Sequence, residues 1–252
     1  MEQIVTPDTD WDETAPIGHG IPERSFGTPS NTSLNLLNAI AKISYRGYFS
    51  TGFLVRFALQ NSRARRASDK GVCDELSGSL LRGKPVDSIV CLITCRHALP
   101  TISRATKSSV TVGNYKDGLD LPIVLNPALF YFTNSCLDLC CCAVLANQPL
   151  QTLTIGKSVG AIPRSVLLLH HPNGTVITRS TGVIFDRTDH CLIHTADTLP
   201  GSSGGAIFAG RTGTKVIAVH CRAVHVRGRP MNMGCTIDVI VLTMERLGYH
   251  QA

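Results

Sequence analysis

From Leu34 onward the chain is a succession of short apolar segments separated by turn residues, and no other feature limits its fold as much. The segments 39–45, 52–59, 88–94, 137–145, 165–170, 175–185, 191–195, 215–221 and 235–240 are rich in Val, Ile, Thr and Phe, and most run four to nine residues. Runs that short, bounded by Gly, Pro, Asn or Asp, read as strands of an all-β barrel or sandwich. Only the tail, about Val239 to Leu247, reads as helical, with Ile240, Leu242, Met244 and Leu247 set among Glu245 and Arg246. No apolar run reaches the roughly 18–20 residues that cross a bilayer, so no membrane partner is expected.

The 252 residues suffice for one large domain or two packed lobes, and 43% apolar with 17% charged residues excludes a disordered chain. Residues 1–33, rich in Pro, Thr, Asp and Gly without periodicity, read as an extended acidic arm. A polar, basic stretch over 60–84, with Arg63, Arg65 and Arg66, reads as a long surface loop. A second break over 147–161 divides the body into lobes 34–147 and 148–252. The first thirty residues set six carboxylates against Arg24 alone, a net −5, which leaves +11 on the remainder of a chain of net +6. That basic body has scattered arginines and no aromatic-interleaved RNA motif, so no nucleic-acid partner is expected.

Ten cysteines suggest a disulfide framework, but Cys140, Cys141 and Cys142 are contiguous in an apolar run, where neighbours point to opposite faces of a strand. Met1 to Glu13 are polar and acidic, without the basic start and apolar stretch of a secretory signal. The expectation is a cytoplasmic protein with free, packed thiols.

Three segments carry chemistry. Pro200-Gly201-Ser202-Ser203-Gly204-Gly205 runs straight into the apolar Ala206-Ile207-Phe208, where a flexible linker would stay polar. A nucleophilic serine needs an exposed hydroxyl with backbone N–H donors beside it, and the flanking glycines permit both. Thr94-Cys95-Arg96-His97-Ala98-Leu99 places a histidine at the end of an apolar strand. Leu137-Asp138-Leu139 opens a run too apolar for a surface, and an Asp there needs a hydrogen-bonded partner. Asp117 and Asp120, the rival carboxylates, lie in a turn-like stretch and are expected to be solvated.

Taken together, and in the order His, Asp, Ser, these segments resemble the trypsin-like (chymotrypsin-fold) serine peptidases. The likeness covers about residues 35–247 and lies nearest the glutamyl-endopeptidase and viral 3C-like branches and their intracellular relatives. His171-Pro172-Asn173-Gly174 is similar to a turn of the family's second barrel. The resemblance implies two six-stranded antiparallel β-barrels with a C-terminal helix, His97 and Asp138 on the first barrel and Ser203 on the second. It implies Ser203 as nucleophile, His97 as base, Asp138 as its orienting carboxylate, and an oxyanion hole from the N–H groups of Gly201 and Ser203. Protein or peptide substrates are implied, and no cofactor or metal. Digestive-type members carry an Asp just before the nucleophile that pairs with a freed N-terminus; here that residue is Ser202, so activation by that route is not expected.

Substrate choice carries two signals. Asp197 stands where the family's Arg/Lys-selecting carboxylate lies, whereas Thr198 and His220 stand where members cutting after acidic or Gln residues hold the side chain, with Arg222 two residues on. The expectation is cleavage after Glu, Asp or Gln, with an Arg/Lys-specific enzyme as the alternative. Two other classes compete: a zinc module using Cys91, Cys95 and His97 or Cys136 and Cys140, and an inactive binding scaffold of the same fold. His170 and His171 are expected to shape the turn before Pro172.

Overall fold

The computed structural model describes residues 36–59, 75–79, 86–114, 119–145, 149–156 and 164–252. The acidic arm, Asp117, residues 60–74 and 80–84 of the basic loop, and 146–148 and 157–163 around the second break lie outside the described residues. Sixteen strands follow in chain order: β1 (Ile40–Tyr45), β2 (Tyr48–Leu59), β3 (Glu75–Ser77), β4 (Ser88–Cys95), β5 (Ser109–Asn114), β6 (Leu119–Leu125), β7 (Tyr131–Asn134), β8 (Leu139–Leu145), β9 (Thr154–Ile155), β10 (Ser165–His170), β11 (Thr178–Arg187), β12 (Cys191–His194), β13 (Ala206–Ala209), β14 (Lys215–Val226), β15 (Arg229–Thr236) and β16 (Tyr249–Gln251). Among the described residues, two α-helices accompany them, α1 (Ile102–Lys107) and α2 (Asp238–Arg246), with a 3-10 turn at Pro172–Gly174.

Six strands close the first barrel in the order β2-β1-β5-β6-β8-β4 and back to β2. Six more close the second, β10-β11-β12-β15-β14-β13 and back to β10. Every pairing in both rings is antiparallel, the architecture of the chymotrypsin fold, with the expected C-terminal helix. Beyond α2 the chain returns to the first barrel, where β16 pairs with β2 at Phe57 to Leu59.

Three apolar clusters explain why some strands read as unbroken apolar runs. One fills the first barrel, a second fills the other, and the largest lies between barrels and under α2. β4 and β8 face the first cluster on one side and the shared one on the other, so nearly every side chain is buried. Pleating divides the cysteine run between them: Cys140 and Cys142 enter the barrel interior, and Cys141 joins the shared cluster. All described cysteines are free, as expected.

Several boundaries differ from the sequence reading. Residues 235–240 are not a strand; β15 ends at Thr236 and α2 begins at Asp238. The strand lies earlier, where Arg229, Pro230, Asn232 and Gly234 hid it. It pairs with the far half of β14 through a tight turn at Arg227 and Gly228, both with positive φ. Within the basic loop, Glu75–Ser77 pairs with β7 as a short edge strand.

Candidate active site

The turn after β4 and the turn before β8 are fastened to each other by Asp138. Arg96 N–H donates to the Asp138 carbonyl at 3.0 Å, His97 N–H donates to Asp138 Oδ1 at 3.0 Å, and His97 Nδ1 lies 2.7 Å from Oδ2. A carboxylate only accepts, so Nδ1 carries the proton in this pair and the ring orientation is fixed. Asp138 has φ 51°, a left-handed conformation that Asp adopts more readily than most residues. Its turn is braced by Leu137 N–H donating to Asn134 Oδ1 at 2.8 Å. The His97 and Asp138 side chains are 21% and 13% exposed, so the pair is partly withdrawn from water yet still reachable. The rival Asp120 is instead half-exposed and paired with Lys42 at 3.1 Å.

Ser203 lies on the turn that enters β13, and backbone bonds define that turn. Ser202 N–H donates to Leu199 O at 3.0 Å, Gly205 N–H to Ser202 O at 2.9 Å, and Gly204 N–H to His220 O at 2.7 Å. The N–H groups of Gly201 and Ser203 make no hydrogen bond among the described residues. Ser203 Oγ donates to Cys221 O at 3.2 Å.

Thr51 of β2 joins this turn to the first barrel. Its N–H donates to Ser203 O at 2.8 Å and its hydroxyl to Gly201 O at 2.8 Å. The hydroxyl also accepts from His171 N–H at 2.9 Å, and the Thr51 carbonyl accepts from Thr94 Oγ1 at 2.6 Å. Thr51 is fully buried. Nothing in the sequence singled it out, because one Thr in an apolar strand is ordinary β-propensity. Gly204, with φ 89°, closes against it: a Cβ there would fall 1.8 Å from the Thr51 carbonyl oxygen.

Thr198 and His220 are both buried in the second barrel, whereas Asp197 is exposed, the opposite directions expected of successive residues in extended chain. Thr198 Oγ1 donates to Asn232 Oδ1 at 2.8 Å, and Asn232 Nδ2 donates to Ala196 O at 2.8 Å. The His220 ring meets His194 edge-on at 5.5 Å. Ala196 N–H donates to His194 Nδ1 at 3.3 Å; His194 Nε2 and His220 Nδ1 are buried without a hydrogen-bond partner among the described residues. Burial pushes His194 down to about 4. His220 is held well below the usual imidazole range by burial first, then by the nearby His194, His170 and His97 rings. Arg222, beyond a bulge in β14, is half-buried. Asn232 escaped the sequence reading because β15 is too polar to stand out, and His194 because its strand was read as apolar core with no motif around the histidine.

His171 does shape the turn before Pro172, its Nδ1 lying 2.9 Å from Thr175 O. His170 does not; its ring reaches Ser202. Of the residues raised for zinc, Cys91 and Cys95 join the shared apolar cluster, Cys140 the first barrel's interior, and Cys136 is exposed. Among the described residues, Cys95, His97 and Asp138 have ligand atoms within 4.8 Å of one another. Cys95 Sγ donates to His220 O at 3.1 Å, and burial raises its thiol to about 11, so it keeps its proton near neutrality. No family model matches the chain, and no curated protein sequence matches it.

Proposed function

We propose that the chain is a serine endopeptidase acting through Ser203, His97 and Asp138. One observation carries the reading: beside a serine hydroxyl stand two N–H groups, of Gly201 and Ser203, that make no hydrogen bond among the described residues, and across the barrel junction an imidazole is fixed by a carboxylate at 2.7 Å. In the proposed reaction the Ser203 hydroxyl leaves the Cys221 carbonyl, passes its proton to His97 Nε2, and bonds the peptide carbonyl carbon. The tetrahedral oxyanion takes hydrogen bonds from the Gly201 and Ser203 N–H groups. Protonated His97, steadied by Asp138, then gives the proton to the departing amine, and water resolves the acyl-enzyme by the same path. No step calls on a cofactor.

For the residue preceding the cleaved bond, the proposal is Glu, Asp or Gln. Thr198 and His220 are both buried in the second barrel, while Asp197, the Arg/Lys selector of the competing reading, is exposed to solvent. An imidazole held neutral by burial suits a carboxamide, and Arg222 supplies the positive charge a carboxylate would need. A fluorophosphonate probe tests the chemistry: it should label wild-type protein at Ser203 and leave Ser203→Ala unlabelled. An unlabelled wild type would favour the scaffold reading. A peptide library tests selection. Cleavage dominated by Arg or Lys, lost in Asp197→Ser but kept in His220→Ala, would make Asp197 the selector instead.

A further inference from the structure

Three buried polar side chains outside the His97, Asp138 and Ser203 set are joined end to end beneath the serine turn. His170, the last residue of β10, is 2% exposed, with Nδ1 2.7 Å from Ser202 Oγ and Nε2 2.9 Å from Ser180 Oγ on β11. Ser202 is 1% exposed, and its Oγ also accepts from Leu199 N–H at 3.0 Å. A neutral imidazole has one donating and one accepting nitrogen and a hydroxyl can do either, so both contacts are hydrogen bonds; with the proton on Nε2, Ser202 donates to Nδ1 while accepting from Leu199 N–H. Burial, with the neighbouring His171 and His194 rings, lowers His170 to about 3, so the row carries no charge near neutrality.

Polar groups in a barrel interior cost stability unless all are bonded, and at best such a row roughly matches the apolar packing it displaces. What this one does gain is the shape of the turn. Ser202 stands between Gly201 and Ser203, whose N–H groups make no hydrogen bond among the described residues. Its N–H holds Leu199 O and its hydroxyl receives Leu199 N–H, so both of its polar groups tighten residues 199–202. His170 then ties that hydroxyl to the β10–β11 pair, and on the far side of the nucleophile a Cβ at Gly205 would fall 3.0 Å from the His170 Cβ.

We propose that His170 and Ser202, backed by Ser180, are positioning residues: an uncharged buried row that aims the Gly201 and Ser203 N–H groups at the oxyanion. The inference deepens the peptidase reading and rests on it. The row supplies from within the second barrel the support that a charged Asp and a freed N-terminus supply in digestive-type enzymes.

The test uses the full chain and variants Ser202→Ala, His170→Leu, His170→Gln and His170→Asn, assayed on a peptide the wild type cleaves and against a peptide boronate that forms the tetrahedral adduct. Asn places its amide near the position of Nδ1 and can still meet Ser202; Gln reaches toward Ser180. Ser202→Ala and His170→Leu should lower kcat roughly 10- to 100-fold, less than the hundredfold or more that loss of an oxyanion donor costs, with KM within about twofold. Boronate affinity should fall in parallel, and His170→Asn should recover most of both while His170→Gln does not. Folded variants with wild-type kcat, or equal losses in the Asn, Gln and Leu variants tracking their fall in Tm, would overturn the proposal and leave the peptidase reading standing. If His170→Leu fails to fold, Ser202→Ala, which removes one oxygen, gives the same reading. A wild type that neither labels with fluorophosphonate nor cleaves any peptide overturns both.

Discussion

Ser203, His97 and Asp138 differ in what their removal takes from the molecule. Ser203→Ala deletes one oxygen of a half-buried residue, whose one hydrogen bond among the described residues is to the Cys221 carbonyl, so the fold should stand with Tm essentially unchanged. Turnover should fall roughly 10⁵–10⁶-fold, and His97→Ala should match it. Asp138→Asn should be milder, about 10⁴-fold, because the amide can still accept from His97 N–H but no longer offers a carboxylate to the ring. Steady-state kinetics with circular dichroism checks all three, and comparable activity in wild type and Ser203→Ala would remove the central reading. These three residues were legible because each sits in a short local motif. Thr51 and Asn232 were not, since their meaning lies in partners 150 and 34 residues away, Gly201 and Thr198. Ser202 was legible only as a departure from a pattern; its partner His170 was read only as shaping the turn before Pro172.

At the scale of elements, the serine turn is held by what β2 and β4 present to it. Gly204 fits because it has no side chain: besides the Thr51 carbonyl, a Cβ would lie 2.3 Å from Thr94 Oγ1, itself fixed by its bond to Thr51 O. Neither obstacle is the free end of a flexible chain, and the positive φ adds strain for any L residue. Gly204→Ala should therefore cost about 3 kcal/mol or more and reduce labelling of Ser203, as thermal unfolding and probe kinetics would show. A Tm within a degree or two of wild type would mean that the turn can move off β2. The same elements show why strand reading succeeded where it did. β4 and β8 are buried on both faces and stand out as continuous apolar runs. The β5–β6 hairpin and β15 were missed because polar residues, Pro122 and Pro230 interrupt their apolar pattern, although each pairs with a neighbour in the chain, β5 with β6 and β15 with β14.

For the molecule as a whole, the second barrel is built around imidazoles that folding keeps neutral. His170, His194 and His220 are 2%, 0% and 3% exposed, and burial pushes His170 to about 3, His194 to about 4, and His220 well below its usual value. His171 is lowered as well, by burial first. In the unfolded chain each ring returns to a pKa near 6.5. Between that value and the folded pKa the unfolded state binds the extra proton, so stability is complete above about pH 6.5 and is lost as pH falls. Each ring withdraws about 1.4 kcal/mol per pH unit in this window. At pH 5.5 the three deepest together remove roughly 4 kcal/mol, a large part of the ~5–15 kcal/mol that holds an ordinary domain. Carboxylates of ordinary pKa contribute little there, because they titrate nearer pH 4. Urea unfolding at a series of pH values should thus show stability level above pH 7 and falling with a slope of about three protons between pH 6 and 5. His194→Asn, which keeps an acceptor for Ala196 N–H but cannot take up a proton, should reduce that slope by about one. A stability profile that stays flat from pH 7 to 5 would show that these rings are not sealed from water in the folded protein, and an unchanged slope in His194→Asn would exclude His194 from the effect.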